Sequence, residues 1–154
     1  MPNKDWKTLS KNRQKFGTYG EYYAKMEFAS YGFDVFTSEV DDQGVDFVIK
    51  CKQSFYEIQV KSVHKDTGYV FMKKRLFDVD NNVLFLCLLI FCQEELPDVY
   101  LIPASEWKKE NDLLRDRDYD KPGQKSEPEW GVNISRKNYG ILYQYKLENM
   151  IVDL

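Results

Sequence analysis

The sequence has one histidine, His64, and only three cysteines, Cys51, Cys87 and Cys92, among 154 residues. No Cys-x-x-Cys pair or neighbouring histidine offers a zinc site, and the odd count gives no disulfide framework. Cys87 and Cys92 sit in an apolar run, where a thiol behaves as a small hydrophobe, so a reducing, cytoplasmic setting is expected. Long apolar stretches are also missing. The longest, Val83 to Cys92, is far too short to span a bilayer and reads as a buried central strand. The first residues, MPNKDWKTLSKNRQKF, are polar and lack the apolar core of a signal peptide. No glycine-rich phosphate loop follows a strand, which excludes a Rossmann arrangement. There are no repeats and no sign of a second domain, so residues 1–154 are expected to form one domain.

Excess positive charge is likewise absent. The net charge is −3, which does not suit a general nucleic-acid coat protein. The distribution is uneven, with 13 Lys/Arg against 10 Asp/Glu in residues 1–75, and 9 against 15 in residues 76–154. A local basic surface can hold phosphate despite a negative total, although chance scatter would look the same. What is plentiful is aromatic: 11 Tyr and 10 Phe. Most of these fill the core, and a few exposed tyrosines could stack on bases.

Along the chain, residues 1–15 read as an arm or a short helix. Thr18 and Glu21 have the spacing of a capping box, which predicts a helix from Thr18 to Gly32. Phe33 to Phe36 alternates like a strand, and Asp41-Asp42-Gln43-Gly44 reads as a turn. Val45–Cys51 and Phe55–Val63 read as strands, with Lys52-Gln53-Ser54 closing a hairpin between them. Residues 69–71 form a candidate strand, and Lys73 to Asp80 a short helix. Val83–Phe91 and Val99–Ile102 are strands, and Ala104–Arg115 is read as helical. Residues 116–129 form a charged, exposed loop. A strand over Trp130–Ser135 and a helix over 137–149 close the chain. The order implies an α/β fold with a central mixed sheet and helices on its faces.

The informative stretch is GVDFVIKCKQSFYEIQVKSV, residues 44–63. Residues two apart on a strand share a face, so Glu57, Gln59 and Lys61 point the same way. Asp46 stands on the preceding, antiparallel strand. A carboxylate, an amide oxygen and a lysine can then meet at one end of the hairpin. Such a set suits phosphodiester hydrolysis. A hard cation on oxygen ligands neutralises the phosphate, and a lysine orients water or stabilises developing charge. Charged residues on one strand face also suit plain solvated surface.

Asp46 followed by Gln59-Val60-Lys61 resembles the PD-(D/E)xK nuclease superfamily, in the variant that carries Gln as its middle residue. The helix TYGEYYAKMEFASYGFDVF resembles the superfamily's N-terminal helix, as in archaeal-type Holliday junction resolvases. The segment VLFLCLLIFCQEELPDVYLIPASEW resembles a mostly bacterial, uncharacterised subgroup. The resemblance covers roughly residues 16–107. It implies a restriction-endonuclease-like three-layer α/β/α fold with an αβββαβ core, and a site holding Mg2+ or Mn2+. Asp46, Gln59 and Glu21 would be metal ligands, Lys61 the catalytic lysine, and Ser62 a phosphate contact. Val45 replaces the proline of the motif, and Gln59 removes one negative charge from the metal site.

Several residues keep two readings. Glu21 is a capping acid or a ligand. Asp41 and Asp42 are turn residues that could reach a metal. Lys73, Lys74 and Arg75 hold DNA backbone or form a solvated helix face. His64 points away from Lys61, and Trp107 and Trp130 are packing residues. The expected activity is metal-dependent hydrolysis of DNA, by a homodimer. The alternative is a nuclease-fold module of weak or no activity that binds nucleic acid or a protein.

Overall fold

In the computed structural model, which describes residues 4–37 and 44–154, two helices open the chain: α1 (Trp6–Ser10) and α2 (Arg13–Ser30). Helix α2 starts five residues earlier than the Thr18 capping box predicts. Asn12 is its cap, and its side chain accepts a hydrogen bond from the Lys15 N–H at 3.1 Å. Asparagine satisfies a free helical N–H as well as threonine does, so the first adequate cap wins. Thr18 and Glu21 therefore lie inside the helix, and Glu21 has no capping role. Gly32 follows the helix with φ +90, and its N–H reaches the Ala29 carbonyl at 2.9 Å.

Five strands then build the central sheet: β1 (Asp34–Thr37), β2 (Phe47–Cys51), β3 (Ser54–His64), β5 (Leu84–Phe91) and β6 (Asp98–Pro103), in the order β1-β2-β3-β5-β6. All neighbours are antiparallel except β3 and β5, which run parallel. The parallel pair requires a crossover. It is made by β4 (Tyr69–Lys73) and a 3-10 turn at Lys74–Leu76, in place of the short helix expected over 73–80. Strand β4 joins β7 (Leu114–Arg117) and β8 (Glu129–Asn133) in a second sheet, in the order β4-β8-β7.

Every residue of β5 is buried, so its alternating side chains must find apolar cover on both faces. Phe85, Cys87, Leu89 and Phe91 pack with Phe16, Ala24 and Phe28 of α2. Leu84, Leu86, Leu88 and Ile90 pack with Met72, Leu114 and Val132 of the second sheet, and with Trp107 and Leu142. The result is a mixed central sheet between a helix layer and a layer of strands and short helices.

Two helices expected from the sequence are much shorter. Ala104–Lys108 is a 3-10 turn, and the chain then becomes β7. The Asn111 side chain accepts from the N–H groups of Leu113 and Leu114 at 2.9 and 2.7 Å, a local turn that competes with helix. It delivers both fully buried leucines to the core. The C-terminal helix is broken into α3 (Tyr139–Leu142) and α4 (Leu147–Met150), because Lys146 is extended between them and bridges Tyr100 of β6. Among the described residues no helix is long and apolar enough to cross a membrane.

Phe28 is fully buried between α2 and β2, with the Phe47 ring 5.8 Å away. Phe28→Ala should lower unfolding stability by about 3–5 kcal/mol, measured by urea denaturation, since it removes a large side chain from a packed core.

Candidate active site

The site begins where the β2–β3 ladder ends. Phe47 pairs with Ile58, and Asp46 is the residue just before the paired strand. The Asp46 N–H donates to the Ile58 carbonyl at 2.9 Å, and its Oδ2 accepts from the Val60 N–H at 2.6 Å. The carboxylate thus takes the place of the next backbone partner. Strand alternation explains why Val60 needs one. Glu57 N–H donates to Val83 and Lys65 N–H to Phe91, so odd residues of β3 bond β5. Even residues turn their N–H and C=O groups to the opposite edge. The Val60 carbonyl leaves β3 on the same edge as Asp46. Asp46 also acts on the strand beyond: burial pushes the Cys87 thiol well up, and the Asp46 charge adds to it.

Gln59 is 7% exposed. Oriented by its surroundings, its amide nitrogen donates to the carbonyls of Leu76 at 3.2 Å and Gly44 at 3.3 Å. It ties the turn before β2 to the 3-10 turn after β4. Gly44 has φ +79, and a Cβ there would lie 2.6 Å from the Leu76 carbonyl oxygen, so the close approach needs glycine. A glutamate at position 59 would set oxygen against both carbonyls. An amide satisfies them, which gives a physical reason for Gln59.

Lys61 lies two residues along β3 from Gln59, on the same face. Glu57, also on that face, accepts from the Asn81 amide at 2.8 Å. Glu21 lies on the helix layer, where it forms an ion pair with Lys25 at 2.9 Å. The Lys25 ammonium is 5.8 Å from the ring centroid of Phe47, the residue after Asp46. The structure therefore brings Asp46, Gln59 and Val60 together, sets Lys61 beside them, and pairs Glu21 with Lys25 on the helix layer. Ser62 faces α2. Its Oγ is buried without a hydrogen-bond partner, and a Cβ on Gly20 would lie 1.8 Å from it. Asp41 and Asp42 lie outside the described residues.

Lys73, Lys74 and Arg75 do not form an open cationic helix face. Lys73 and Arg75 pair with Glu127 at 2.8 and 3.1 Å. Lys74 pairs with Asp116 and, at 2.7 Å, with Asp118, while its ammonium sits 3.9 Å from the Trp130 ring centroid. Trp107 is buried and its indole donates to the Gly131 carbonyl at 2.9 Å.

Among the described residues no group of three or more His, Cys, Asp or Glu is placed to hold a metal. The donors at the strand edge are a carboxylate, a backbone carbonyl and a side-chain amide. They are oxygens of the kind a hard cation takes, with one negative charge among them, so the set fits a divalent ion in kind.

Beside the site runs an open groove of about 610 Å³, lined by Lys61, Ser62 and His64 of β3, Arg13 of α2, and Tyr69 and Phe71 of β4. Sequence reasoning did not single out Arg13, Tyr69 or Phe71. The alternation of aromatics at 69 and 71 was the available signal, since both rings must share one strand face.

No protein-family profile matches the chain, and no curated protein matches its sequence. Among solved structures, a Holliday junction resolvase from the archaeon Archaeoglobus fulgidus is similar over 81% of this chain and 88% of its own, at 14% identity and a TM-score of 0.50. The fold is restriction-endonuclease-like. A bacterial homing endonuclease also aligns, at 20% identity and a TM-score of 0.48, over 86% of this chain and 92% of its own.

Gln59→Glu should destabilise the metal-free protein at neutral pH by on the order of 1–3 kcal/mol, because the new carboxylate meets two carbonyls. Gly44→Ala should cost at least about 1 kcal/mol through its left-handed backbone and the Leu76 contact. Thermal unfolding of both variants in chelator checks them; unchanged melting would remove Gln59 as the tie between the two turns.

Proposed function

We propose that the chain is a metal-dependent endonuclease that hydrolyses DNA phosphodiester bonds. The observation that carries this is the Asp46 carboxylate bound to the N–H of Val60, which stands between Gln59 and Lys61 on β3, on a nuclease fold. Asp46, the Gln59 side-chain oxygen and the Val60 carbonyl would hold Mg2+ or Mn2+, with Glu21 as a further ligand once released from Lys25. The cation supplies charge neutralisation and a lowered pKa for water. Lys61 orients the attacking water or stabilises charge on the phosphate in the transition state. Ser62 would contact phosphate after its side chain turns from Gly20. Lys73, Lys74 and Arg75 would do so by exchanging carboxylates for phosphates. A homodimer suits the reaction, because one site cuts one strand.

A second reading is a nuclease-fold module with weak or no catalysis. It is favoured by the absence of an acidic triad among the described residues and by the structural ties of Gln59.

The deciding experiment offers the parent protein a panel of labelled junction, duplex and single-stranded DNAs with Mg2+ or Mn2+. Cutting should stop in chelator, and Asp46→Ala and Lys61→Ala should each lose on the order of 10²–10³ in rate. Equal behaviour of parent and variants on every substrate would leave the binding module as the better reading.

A further inference from the structure

The groove beside Lys61 has a floor that the β-sheet leaves open. Strand β2 ends at Phe47, opposite Ile58, so among the described residues β3 beyond that point pairs only with β5. Of its outward groups, the Val60 N–H is taken by Asp46 and the His64 carbonyl by the Thr67 N–H at 2.8 Å. By alternation, the N–H and C=O of Ser62 remain directed at the groove. Two buried polar atoms of the lining, Ser62 Oγ and His64 Nε2, have no hydrogen-bond partner, although His64 is only 7% exposed.

The walls differ in chemistry. Arg13, at the start of α2, stands on one side, and among the described residues no Asp or Glu lines the groove. On the other side Phe71 is 44% exposed. Behind it lies the Tyr69 ring, at 6.4 Å and an interplanar angle of 23°, and behind that the Arg117 guanidinium, 4.2 Å from the Tyr69 centroid. The Tyr69 hydroxyl donates to the buried Glu129. The Phe71 ring is therefore the open end of a fixed stack.

We infer that this groove binds an unpaired DNA segment, with one base stacked on Phe71 and its phosphate beside Arg13. The inference rests on the nuclease reading for the choice of DNA. A base must leave its own neighbours to reach the Phe71 face, which selects single-stranded or frayed DNA over intact duplex. An extended peptide fits less well. Adding a strand to β3 would find the Val60 N–H and the His64 carbonyl already taken, and a peptide has no need of Arg13.

The test uses the full chain in chelator, so that no cutting intervenes. Fluorescence anisotropy of a labelled oligothymidine is compared with a duplex of equal length. The single strand should bind more tightly than the duplex. Phe71→Ala should weaken single-strand binding about tenfold, while Phe71→Trp retains it. Arg13→Gln should flatten the salt dependence by slightly less than one unit of log K against log salt. Phe71 is at the surface, so the variants should keep the parent's circular dichroism. Equal affinity for duplex and single strand, or a Phe71→Ala protein that binds like the parent, overturns the inference; an extended protein segment on the β3 edge then becomes the occupant. Cleavage is read separately with the parent in Mg2+ or Mn2+: single-strand binding that persists although the parent cuts no substrate supports the groove and sinks the nuclease reading.

Discussion

The burial of β5 on both faces is the constraint from which the rest of the structure follows. All eight of its residues are inside, so each face must be roofed. Helix α2 roofs one face and the β4-β8-β7 sheet the other. Strand β3 lies beside β5 in parallel, in fixed register from Glu57 opposite Leu84 to His64 opposite Phe91. A slip by one residue would move Gln59 and Lys61 to the helix side and put Ile58, fully buried there, on the other face. The apolar burial of one strand thus fixes which polar side chains of its neighbour face the candidate site.

At the end of the β2–β3 ladder a single carboxylate has two structural consequences. Asp46 satisfies the Val60 N–H, which would otherwise lose its partner where β2 stops. By doing so in place of backbone, it leaves the edge of β3 beyond Val60 without a strand partner among the described residues. The same geometry that ends the sheet opens the groove. Gln59 holds the opposite boundary, joining Gly44 to Leu76 through one amide. An amide there trades ligand charge for a satisfied turn, which is a stability argument for the residue independent of any metal.

The juxtaposition of Asp46, Gln59 and Lys61 was legible because a strand has a strict period of two and the hairpin is short. Cys51 pairs with Ser54 across Lys52 and Gln53, and this alone sets the register. The buried strand at 84–91 was legible from its unbroken apolar run. The start of α2 was not, because Asn12 and Thr18 are both competent caps and the choice depends on whether Phe16 reaches the core. Strand β7 was hidden for a similar reason. Leu113 and Leu114 suit a helix by propensity, and only the Asn111 turn and pairing with β8 make them strand. The partners of Lys73, Lys74 and Arg75 lie 42 to 54 residues away, so no local pattern could pair them.

That last point changes how the charge of the chain should be read. The run Lys73-Lys74-Arg75 is the densest cationic stretch in the sequence, and the segment from 116 to 129 is rich in acids. Folding brings the two together and cancels much of the field that either would project. Phosphate would have to displace three carboxylates to bind there. Among the described residues the lining of the groove carries Arg13 and Lys61 and no acid. A polyanion should therefore be drawn to the uncovered edge of β3 rather than to the most basic sequence. The position of acids in the fold, rather than the count of lysines, selects the surface on which such a strand can lie.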